Sequence, residues 1–213
     1  MKRIKLPLFL PFLALCAACA APNIAVNPRA DFSAVKRVAV LSFAGPKGDL
    51  AADMLTQSLV ARGADVVERQ RLERLMQEQS LAASGFFDPA TAAQLGKLLG
   101  VDALFLGTVA ESTPPSTYIV NTSDNSPVAK VTRVSGGSIY SQGSVTGLSN
   151  SQLLSTTANV ALVARMVDAQ TGSILWSASM SYEGLDIPSA MTAITESFIN
   201  SLTPIWPSLY RAE

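Results

Sequence analysis

The sequence predicts an α/β domain whose mixed β-sheet is flanked by helices, in the order β-α-β-α-α-β-insert-β-β-α. Three observations predict this fold. Apolar segments of strand length alternate with segments of helical apolar periodicity in the first half of the chain. Two strands joined by a short turn follow a long polar insertion. A last amphipathic segment then predicts a helix that closes the domain.

Composition limits the class of protein. The 213 residues suit one domain, and 48% hydrophobic with 15% charged residues is typical of a folded chain. Sixteen basic residues balance sixteen acidic ones, so we predict no nucleic-acid partner. The chain has no His, which excludes imidazole chemistry, and its two Cys are too few for a Cys-rich zinc site. We therefore predict no catalytic residues, no metal and no cofactor.

Residues 1–18 are predicted to be a lipoprotein signal peptide. They begin with a basic region, followed by an apolar stretch over residues 6–15 that is too short to cross a bilayer as a helix. The basic residues of this region are Lys2, Arg3 and Lys5. The segment therefore directs the chain to export and is removed from the mature protein.

The end of the signal resembles a bacterial lipobox, in which the signal is cut and a Cys becomes the lipidated N-terminus. We predict cleavage between Ala18 and Cys19, with Cys19 as the lipid (palmitate) attachment site. Cys19 fits better than Cys16 because a small residue precedes it, whereas the bulky Leu15 precedes Cys16. Ordinary cleavage after the alanine run is the alternative.

Lipidation predicts where the mature chain resides. Residues 19–35 are predicted to be the lipidated N-terminus and a tether, of which residues 20–33 span at most about 45–50 Å when stretched. Ala20, not Asp, follows the Cys, which by resemblance to Gram-negative lipoproteins implies an outer-membrane anchor facing the periplasm. The lipid would occupy the last Cys, so the mature chain forms no disulfide.

The domain is predicted over residues 36–203 and begins with a strand at 36–44. Apolar side chains on both faces indicate a central strand covered from both sides. The two faces are Val38, Val40 and Ser42, and Ala39, Leu41 and Phe43.

Two of the predicted helices end at a glycine. The first spans residues 49–62, with Asp49 as its N-cap and Gly63 after its last turn. The other begins at Asp88-Pro89 and ends before Gly100. The elements around them are a strand at 64–68, a helix at 69–81 and a strand at 102–111.

The second half of the chain opens with a polar insertion at residues 112–155, which we interpret as a functional excursion. Strands at 157–169 and 173–183 follow, then a helix at 188–202 and a tail at 204–213. In the tail, Trp206 is either core cover or a docking anchor. The second strand alternates, with its apolar face formed by Ile174, Trp176, Ala178, Met180 and Tyr182.

Two catalytic or phosphate-binding patterns are rejected. Gly45-x-x-Gly48 joins a strand to a helix, but it lacks the Gly-Lys-Ser/Thr ending of a phosphate loop. The penicillin-recognising serine set is approximated by Ser33-x-x-Lys36, Ser123-Asp124-Asn125 and Gln170-Thr171-Gly172. Lys36 opens a strand, where side chains three apart point to opposite faces, so the amine would not meet the hydroxyl.

Acidic residues are predicted to serve the fold. Asp168, at the turn between the last two strands, is predicted to cap that turn with Arg165 as a partner. The other carboxylates are spread over predicted helix surfaces, without a pair that the sequence places together. The chain is therefore predicted not to be an enzyme.

A series of motifs, in order and spacing, resembles the curli secretion-channel lipoprotein family (CsgG-like). The resemblance covers roughly residues 36–111 and 157–202. Its motifs are Val38-Ala39-Val40-Leu41-x-Phe43, Val66-Val67-Glu68-Arg69-x-x-Leu72, Glu78-Gln79, Ser84-Gly85-x-x-Asp88-Pro89, Leu95-Gly96-x-x-Leu99-Gly100-Val101-Asp102-Ala103, Gly107-x-Val109 and Arg165-x-x-Asp168-x-x-Thr171-Gly172-x-Ile174-x-Trp176.

The resemblance implies a lipid-anchored periplasmic domain that assembles into rings and serves fibre secretion, polysaccharide export or activation of a cell-wall synthase. Channel members of the family insert two hairpins per subunit into the outer membrane. Here only residues 184–187 stand at the place of one hairpin, and the insertion lacks the apolar alternation of a membrane strand. We therefore expect a homo-oligomeric assembly factor with protein partners in the envelope, and keep a pore subunit, or an activator of a cell-wall synthase, as the alternatives.

Overall fold

The computed structural model describes residues 21–68, 89–121, 130–134 and 151–209. The signal peptide, Cys19, Asp88 and the predicted helix at 69–81 lie outside these residues. The described helices are α1 (Gly48–Ala61), α2 (Pro89–Leu99) and α3 (Ile187–Leu202), with one 3-10 turn at Phe32–Ala34. The described strands are β1 (Asn23–Val26), β2 (Arg37–Val40), β3 (Asp65–Val67), β4 (Ala103–Thr113), β5 (Thr117–Asn121), β6 (Lys130–Val134), β7 (Ser151–Ser155), β8 (Ala158–Asp168) and β9 (Ile174–Gly184).

The main sheet is mixed, as predicted. Its strand order is β1-β9-β8-β4-β2-β3, with β2 parallel to both β3 and β4 and the other neighbours antiparallel. Helices α1 and α3 pack on one face and form the main core, while α2 contributes to a smaller apolar cluster on the other face. The predicted fold class, an α/β domain with helices flanking a mixed sheet, is confirmed.

Strand β2 is central and covered from both sides, as its sequence predicts. Val38 and Val40 belong to the main core, whereas Ala39 and Leu41 belong to the smaller cluster. The prediction for Phe43 is wrong, because Phe43 lies in the main core with Val38. The strand ends at Val40, so the two-residue alternation does not continue to Phe43.

The start of α1 differs from the prediction. The helix begins at Gly48, and Lys47 occupies the N-cap position in a left-handed conformation (φ 62°) without a side-chain cap. Asp49 therefore lies inside the first turn and is not the cap. Its negative charge there interacts favourably with the positive end of the helix dipole. Gly63 and Gly100 follow α1 and α2 with positive φ, as their positions predict.

A β-bulge changes the predicted apolar face of β9. Met166 of β8 pairs with Trp176, but the next residue of β8, Val167, pairs with Ile174. Leu175 is thus an extra residue, which reverses the alternation at this point. Trp176, Ala178 and Met180 face the core as predicted, while Ile174 lies on the opposite face and is 46% exposed.

The chain N-terminal to β2 is more ordered than a tether. Asn23–Val26 forms the edge strand β1, and Phe32 and Val35 are buried in the main core. The predicted tether therefore shrinks to the residues before Asn23. The sequence does carry a signal for β1, namely the alternation of Ile24 and Val26 with smaller residues.

The C-terminal tail completes the main core. Trp206 is fully buried, and its indole N–H donates to the carbonyl of Val35 at 3.0 Å. Its ring lies against Phe105, with ring centroids 6.2 Å apart. Leu209 is also buried in this cluster. Of the two interpretations of Trp206, core cover is the correct one.

Candidate functional site

The predicted anchor residues, Ala18 and Cys19, lie outside the described residues, so the nearest described feature is β1. Strand β1 begins at Asn23 and runs antiparallel to β9, with Val26 opposite Trp176 and Asn23 opposite Ser179. Followed back towards the N-terminus, β1 therefore runs towards Gly184, the last residue of β9. Strand β9 ends at Gly184 and β4 ends at Thr113 on the same side of the sheet. We call this end of the strands the Gly184 end.

The insertion begins at this same end. Strands β4 and β9 both run antiparallel to β8, and Asn159 of β8 is paired with both Thr113 and Glu183. Beyond this point the backbones of Ser116 and Thr156 hydrogen-bond at 2.8 Å, and the Thr156 hydroxyl accepts from the Ser116 N–H at 3.0 Å. These bonds carry the ladder of β4 and β8 into the insertion.

The described part of the insertion is a second sheet. Its order is β6-β5-β7, and β5 pairs antiparallel with both neighbours. Each of the three strands is five residues long. The insertion is therefore a continuation of the β4–β8 ribbon, as far as residues 117–121, 130–134 and 151–155 describe it.

Polar side chains join the strands at the base of the insertion. The carboxylate of Glu111 accepts hydrogen bonds from the Asn159 amide (3.1 Å) and the Thr113 hydroxyl (3.2 Å). The side-chain amide oxygen of Asn159 in turn accepts from the Ser181 hydroxyl at 3.2 Å. These bonds tie β4, β8 and β9 together at the Gly184 end, which gives Glu111 a structural role.

Three large apolar side chains of β1 and of the connection from β9 to α3 are exposed. Leu185, in the short connection from β9 to α3, is 86% exposed. On the edge strand β1, Ile24 and Val26 are 46% and 42% exposed. Ile24 lies opposite Ala178, so it is on the core side of the sheet but at its outer edge.

One face of β8 and β9 lies away from the main core, and we call it the open face. Apart from Val163 its side chains are small or polar, and each is exposed or half-buried. Val163, at 38% exposure, is its most exposed large aliphatic residue among the described residues. The members of the open face are Asn159, Ala161, Val163, Arg165, Ser177, Ser179, Ser181 and Glu183.

The glycine turn before α1 is explained by packing. A Cβ at Gly45 would lie 2.3 Å from the carbonyl oxygen of Val109, and one at Gly48 would lie 1.8 Å from that of Phe43. Gly45 also has a positive φ of 92°. Both glycines are therefore required for the close approach of the backbones at this turn.

Residues of the rejected serine set form hydrogen bonds that stabilise the backbone before β2. The Ser33 hydroxyl donates to the Asp31 carboxylate at 2.6 Å, and the Ser33 N–H donates to the same oxygen at 2.9 Å. These bonds from Ser33, first the hydroxyl and then the N–H, lower the pKa of Asp31. Lys36 donates its backbone N–H to Asp102. Ser123, Asp124 and Asn125 lie outside the described residues.

Asp168 caps its turn, which confirms that part of the prediction. One carboxylate oxygen accepts from the N–H of Gln170 (2.9 Å), and from the N–H (2.6 Å) and hydroxyl (2.9 Å) of Thr171. Gly172 takes the left-handed conformation that the turn needs, with φ 70°. The predicted partner is wrong: Arg165 and Asp168, both described, form no ion pair.

Sequence reasoning missed the structural role of Asp102. Its carboxylate accepts the backbone N–H groups of Lys36 (2.8 Å) and Arg37 (2.9 Å). Its own N–H donates to the Arg37 carbonyl at 2.8 Å. Asp102 thereby fixes the start of β2 against the start of β4. The only sequence signal is its place directly before the strand.

A shallow cleft of about 470 Å³ lies beside the C-terminal half of α2. It is lined by Gly96, Lys97, Asp102 and Gln170, among others. A Cβ at Gly96 would come within 2.7 Å of the Ala169 Cβ, so this glycine lets α2 approach the β8–β9 turn. The close packing of α2 against the β8–β9 turn forms one wall of the cleft.

The described residues show two further limits. In the ranges that the structure covers, no group of three or more His, Cys, Asp or Glu side chains is placed to hold a metal ion. Among the helices of the same residues, none is long and apolar enough to cross a membrane.

The family of the chain is shown by comparison with known families. A family model described as "Curli production assembly/transport component CsgG" matches residues 20–203, most of the chain. The chain therefore belongs to this family, as the sequence resemblance predicts. No curated protein matches the chain.

Several solved structures are similar in shape. PelC from Paraburkholderia phytofirmans, a dodecamer, is 17% identical, covers 91% of this chain and 99% of its own, and has a TM-score of 0.45. Lipoprotein GNA1162 from Neisseria meningitidis is 16% identical (79% and 98% covered, TM-score 0.43). The LpoB C-terminal domain from Escherichia coli is 14% identical (72% and 87% covered, TM-score 0.41).

Proposed function

We propose that the chain is a non-enzymatic, lipid-anchored assembly factor of the bacterial envelope. It is held to the outer membrane through Cys19, faces the periplasm, and supports secretion or assembly of a surface structure as a homo-oligomer. The observation that carries this proposal is the family match over residues 20–203, to a component of curli assembly and transport. The lipobox-like sequence that ends at Cys19 supports the anchor.

The use of the acidic side chains supports a role without catalysis. Asp31, Asp102 and Asp168 each accept backbone N–H groups that shape a turn or the start of a strand. The Ser33 hydroxyl, the nucleophile of the rejected serine set, donates to the Asp31 carboxylate, which also accepts the Ser33 N–H. The chain then acts by position and contact.

The anchor is tested by metabolic labelling with an alkyne analogue of palmitate, followed by mass spectrometry of the mature N-terminus. Cys19→Ser is expected to abolish labelling and to leave an uncut precursor. Cys16→Leu is the matched control, because it changes the other Cys and restores the residue that lipoboxes usually carry; its labelling is expected to persist. Labelling that is lost with Cys16→Leu and kept with Cys19→Ser would contradict the assignment.

Self-association is tested on a soluble form, the Cys19→Ser chain produced without its signal peptide. The open face supports self-association, since Val163 is exposed there among serine side chains. Light scattering is expected to give a mass several times that of one chain. A strict monomer, both at high concentration and for the lipidated chain on vesicles, would contradict the homo-oligomer.

A pore-forming secretion subunit is the second candidate. It is favoured by one observation, the continuation of β4 and β8 into β5 and β7 at the Gly184 end. Strands that cross an outer membrane need about 9–11 residues, and the described insertion strands have five. Conductance of the lipidated chain in planar bilayers, lost when residues 121–150 are deleted, would establish the pore and overturn the non-channel proposal.

A further inference from the structure

The cleft beside the C-terminal half of α2 is lined by three polar side chains, those of Lys97, Asp102 and Gln170. Its volume of about 470 Å³ is in the range of small-molecule sites. Lys97 belongs to the last turn of α2, Asp102 directly precedes β4, and Gln170 lies in the turn between β8 and β9. Three separate segments of the chain therefore contribute polar groups to one cavity.

The fold leaves much of the bonding capacity of these groups unused. Within the part of the chain that the structure describes, the Lys97 ammonium and the Gln170 side-chain amide make no hydrogen bond or ion pair. Asp102 accepts the N–H groups of Lys36 and Arg37 with Oδ2, while its Oδ1 accepts from no described residue. Lys97 and Asp102 line the same cleft without forming an ion pair, so each can bind an opposite charge on a ligand.

The end of α2 separates the two charges of the cleft. The Val101 N–H donates to the Gly96 carbonyl at 3.1 Å, and Gly100 has a φ of 64°, which ends the helix. The helix dipole places partial negative charge at this end, and the carboxylate of Asp102, just beyond it, adds a full negative charge. Lys97 lies almost one turn earlier in the helix. The cleft thus has a negative part at Asp102 and a positive part at Lys97.

Small residues form the wall of the cleft around these charges. Ala93, Gly96, Gly100 and Ala169 line it, and none of them carries a polar side chain. A Cβ at Gly100 would meet no atom within 4 Å, so the space beside this glycine is open. A ligand with a small apolar group between two charges therefore matches the lining.

We propose that this cleft binds a small zwitterion, an amino acid or a dipeptide, with its carboxylate at Lys97 and its ammonium at Asp102. Asp102 and the helix end disfavour a simple anion, and Lys97 disfavours a metal cation. The Gln170 amide can donate to the carboxylate or accept from the ammonium. The inference goes beyond the proposed envelope role and depends neither on the anchor nor on self-association.

The test is an NMR titration of the ¹⁵N-labelled soluble Cys19→Ser chain at pH 7 with alanine, alanyl-alanine, N-acetylalanine and alaninamide. Both zwitterions are expected to shift the amide signals of Val101 and Gln170, the tighter one with a Kd of about 1 mM, because contacts between exposed charges are weak. N-acetylalanine lacks the ammonium and alaninamide lacks the carboxylate. Each is expected to bind about fivefold more weakly than alanine, or weaker still. The comparison of alanine with alanyl-alanine identifies the spacing of charges that fits.

Variants assign each charge of the ligand to a residue. Lys97→Met is expected to weaken alanine binding about fivefold and to remove the preference for alanine over alaninamide, because the partner of the carboxylate is lost. The matched control is Lys47→Met, another exposed lysine, which does not line the cleft and is expected to change neither. Asp102→Asn keeps an oxygen acceptor for the N–H groups of Lys36 and Arg37, and is expected to remove the preference for alanine over N-acetylalanine. If this variant does not fold, Lys97→Met and the two analogues still decide the outcome.

Three results would overturn the proposal. The first is the absence of shifts at Val101 and Gln170 with both zwitterions at concentrations up to about 50 mM, far above the expected Kd. The second is equal binding of all four probes, and the third is an equal effect of Lys97→Met and Lys47→Met, because the charges would then not recognise the ligand. None of these results bears on the envelope role, which the labelling and light-scattering experiments test separately.

Discussion

Asp102 is the residue that joins the two parallel strands β2 and β4 at their starts. It does so with two hydrogen bonds from backbone N–H groups to one carboxylate oxygen. Hydrogen bonds to a charged acceptor contribute more than neutral ones, and a strand start without them leaves two donors unpaired. The stability of the sheet is therefore sensitive to this one side chain.

We expect Asp102→Ala to lower the free energy of unfolding by about 2 kcal/mol, because Lys36 and Arg37 lose their acceptor. Asp65→Ala is the control. It removes an exposed ion pair to Arg37 at 3.4 Å and is expected to cost about 0.5 kcal/mol or less. Urea unfolding of the soluble Cys19→Ser chain measures both. Equal costs for the two variants would show that the backbone bonds contribute nothing specific.

Asp186 makes stability depend on acidic pH. It is the N-cap of α3 in a capping box with Ser189, and its hydrogen bonds with Ser189, first the side-chain bond and then the backbone N–H, lower the pKa of Asp186. A carboxyl whose folded pKa is lowered stabilises the fold above its unfolded pKa of about 4, and this contribution is lost as the pH falls through the folded pKa.

Asp186→Asn keeps a capping side chain but does not titrate. We expect the wild-type chain to be more stable than this variant at pH 6, and the difference to shrink as the pH falls below about 4. Thermal unfolding of both chains across this range measures the difference. A difference that stays constant with pH would mean that the charge of Asp186 does not stabilise α3.

At the scale of elements, the segment after α3 packs into the main core and contacts two distant parts of the chain. Trp206 contacts Phe105 of β4 and bonds to Val35, which lies just before β2. The Val35 carbonyl also accepts from the Ser208 hydroxyl at 2.9 Å. The C-terminal segment thereby holds the first and middle parts of the chain together.

We expect Trp206→Ala to lower the free energy of unfolding by about 3–5 kcal/mol, since it removes a fully buried ring and leaves a cavity. Trp206→Phe is the control. It keeps an aromatic ring beside Phe105, and Ser208 still bonds to Val35, so we expect it to cost less than half as much. Denaturant unfolding measures both. Similar costs would point to the lost N–H bond and not to the lost packing.

At the scale of the whole molecule, the insertion is separable from the domain core. Of the residues around the insertion whose side chains are described, 112–117 and 155–157, none belongs to either apolar cluster. The insertion continues a ribbon of the main sheet, but its strands pair with each other. We therefore expect the domain to fold without the insertion, and the insertion to be needed for the function of the protein.

Asn121 and Ser151 lie directly opposite each other in β5 and β7, so a two-residue Asn-Gly turn can replace residues 122–150. We expect this deletion to change Tm by less than about 4 °C and to abolish secretion or assembly activity in cells. Leu162→Ala in the core is the control for Tm and is expected to lower it by about 6–12 °C. A large fall in Tm for the deletion would show that the insertion supports the fold.

Local pattern predicted most elements and failed where distant chain segments meet. The apolar faces of β2 and α3 follow directly from their periodicity. The face on which Ile174 lies could not be predicted in this way. The bulge at Leu175 reverses the alternation, and no residue type in the sequence indicates it. Asp49 looked like a cap, yet the close approach of Gly48 to Phe43 sets where α1 begins.

The sequence by itself determined the fold class, the family and the predicted site of the anchor, because these depend on apolar periodicity, ordered motifs and a local signal that need no three-dimensional context. Tertiary structure alone decided that residues 23–26 pair with β9, that Trp206 is buried, and that Leu185 is exposed. The physical reason is that strand pairing and burial join segments far apart in sequence, and the free energy of such contacts is not encoded in either segment alone.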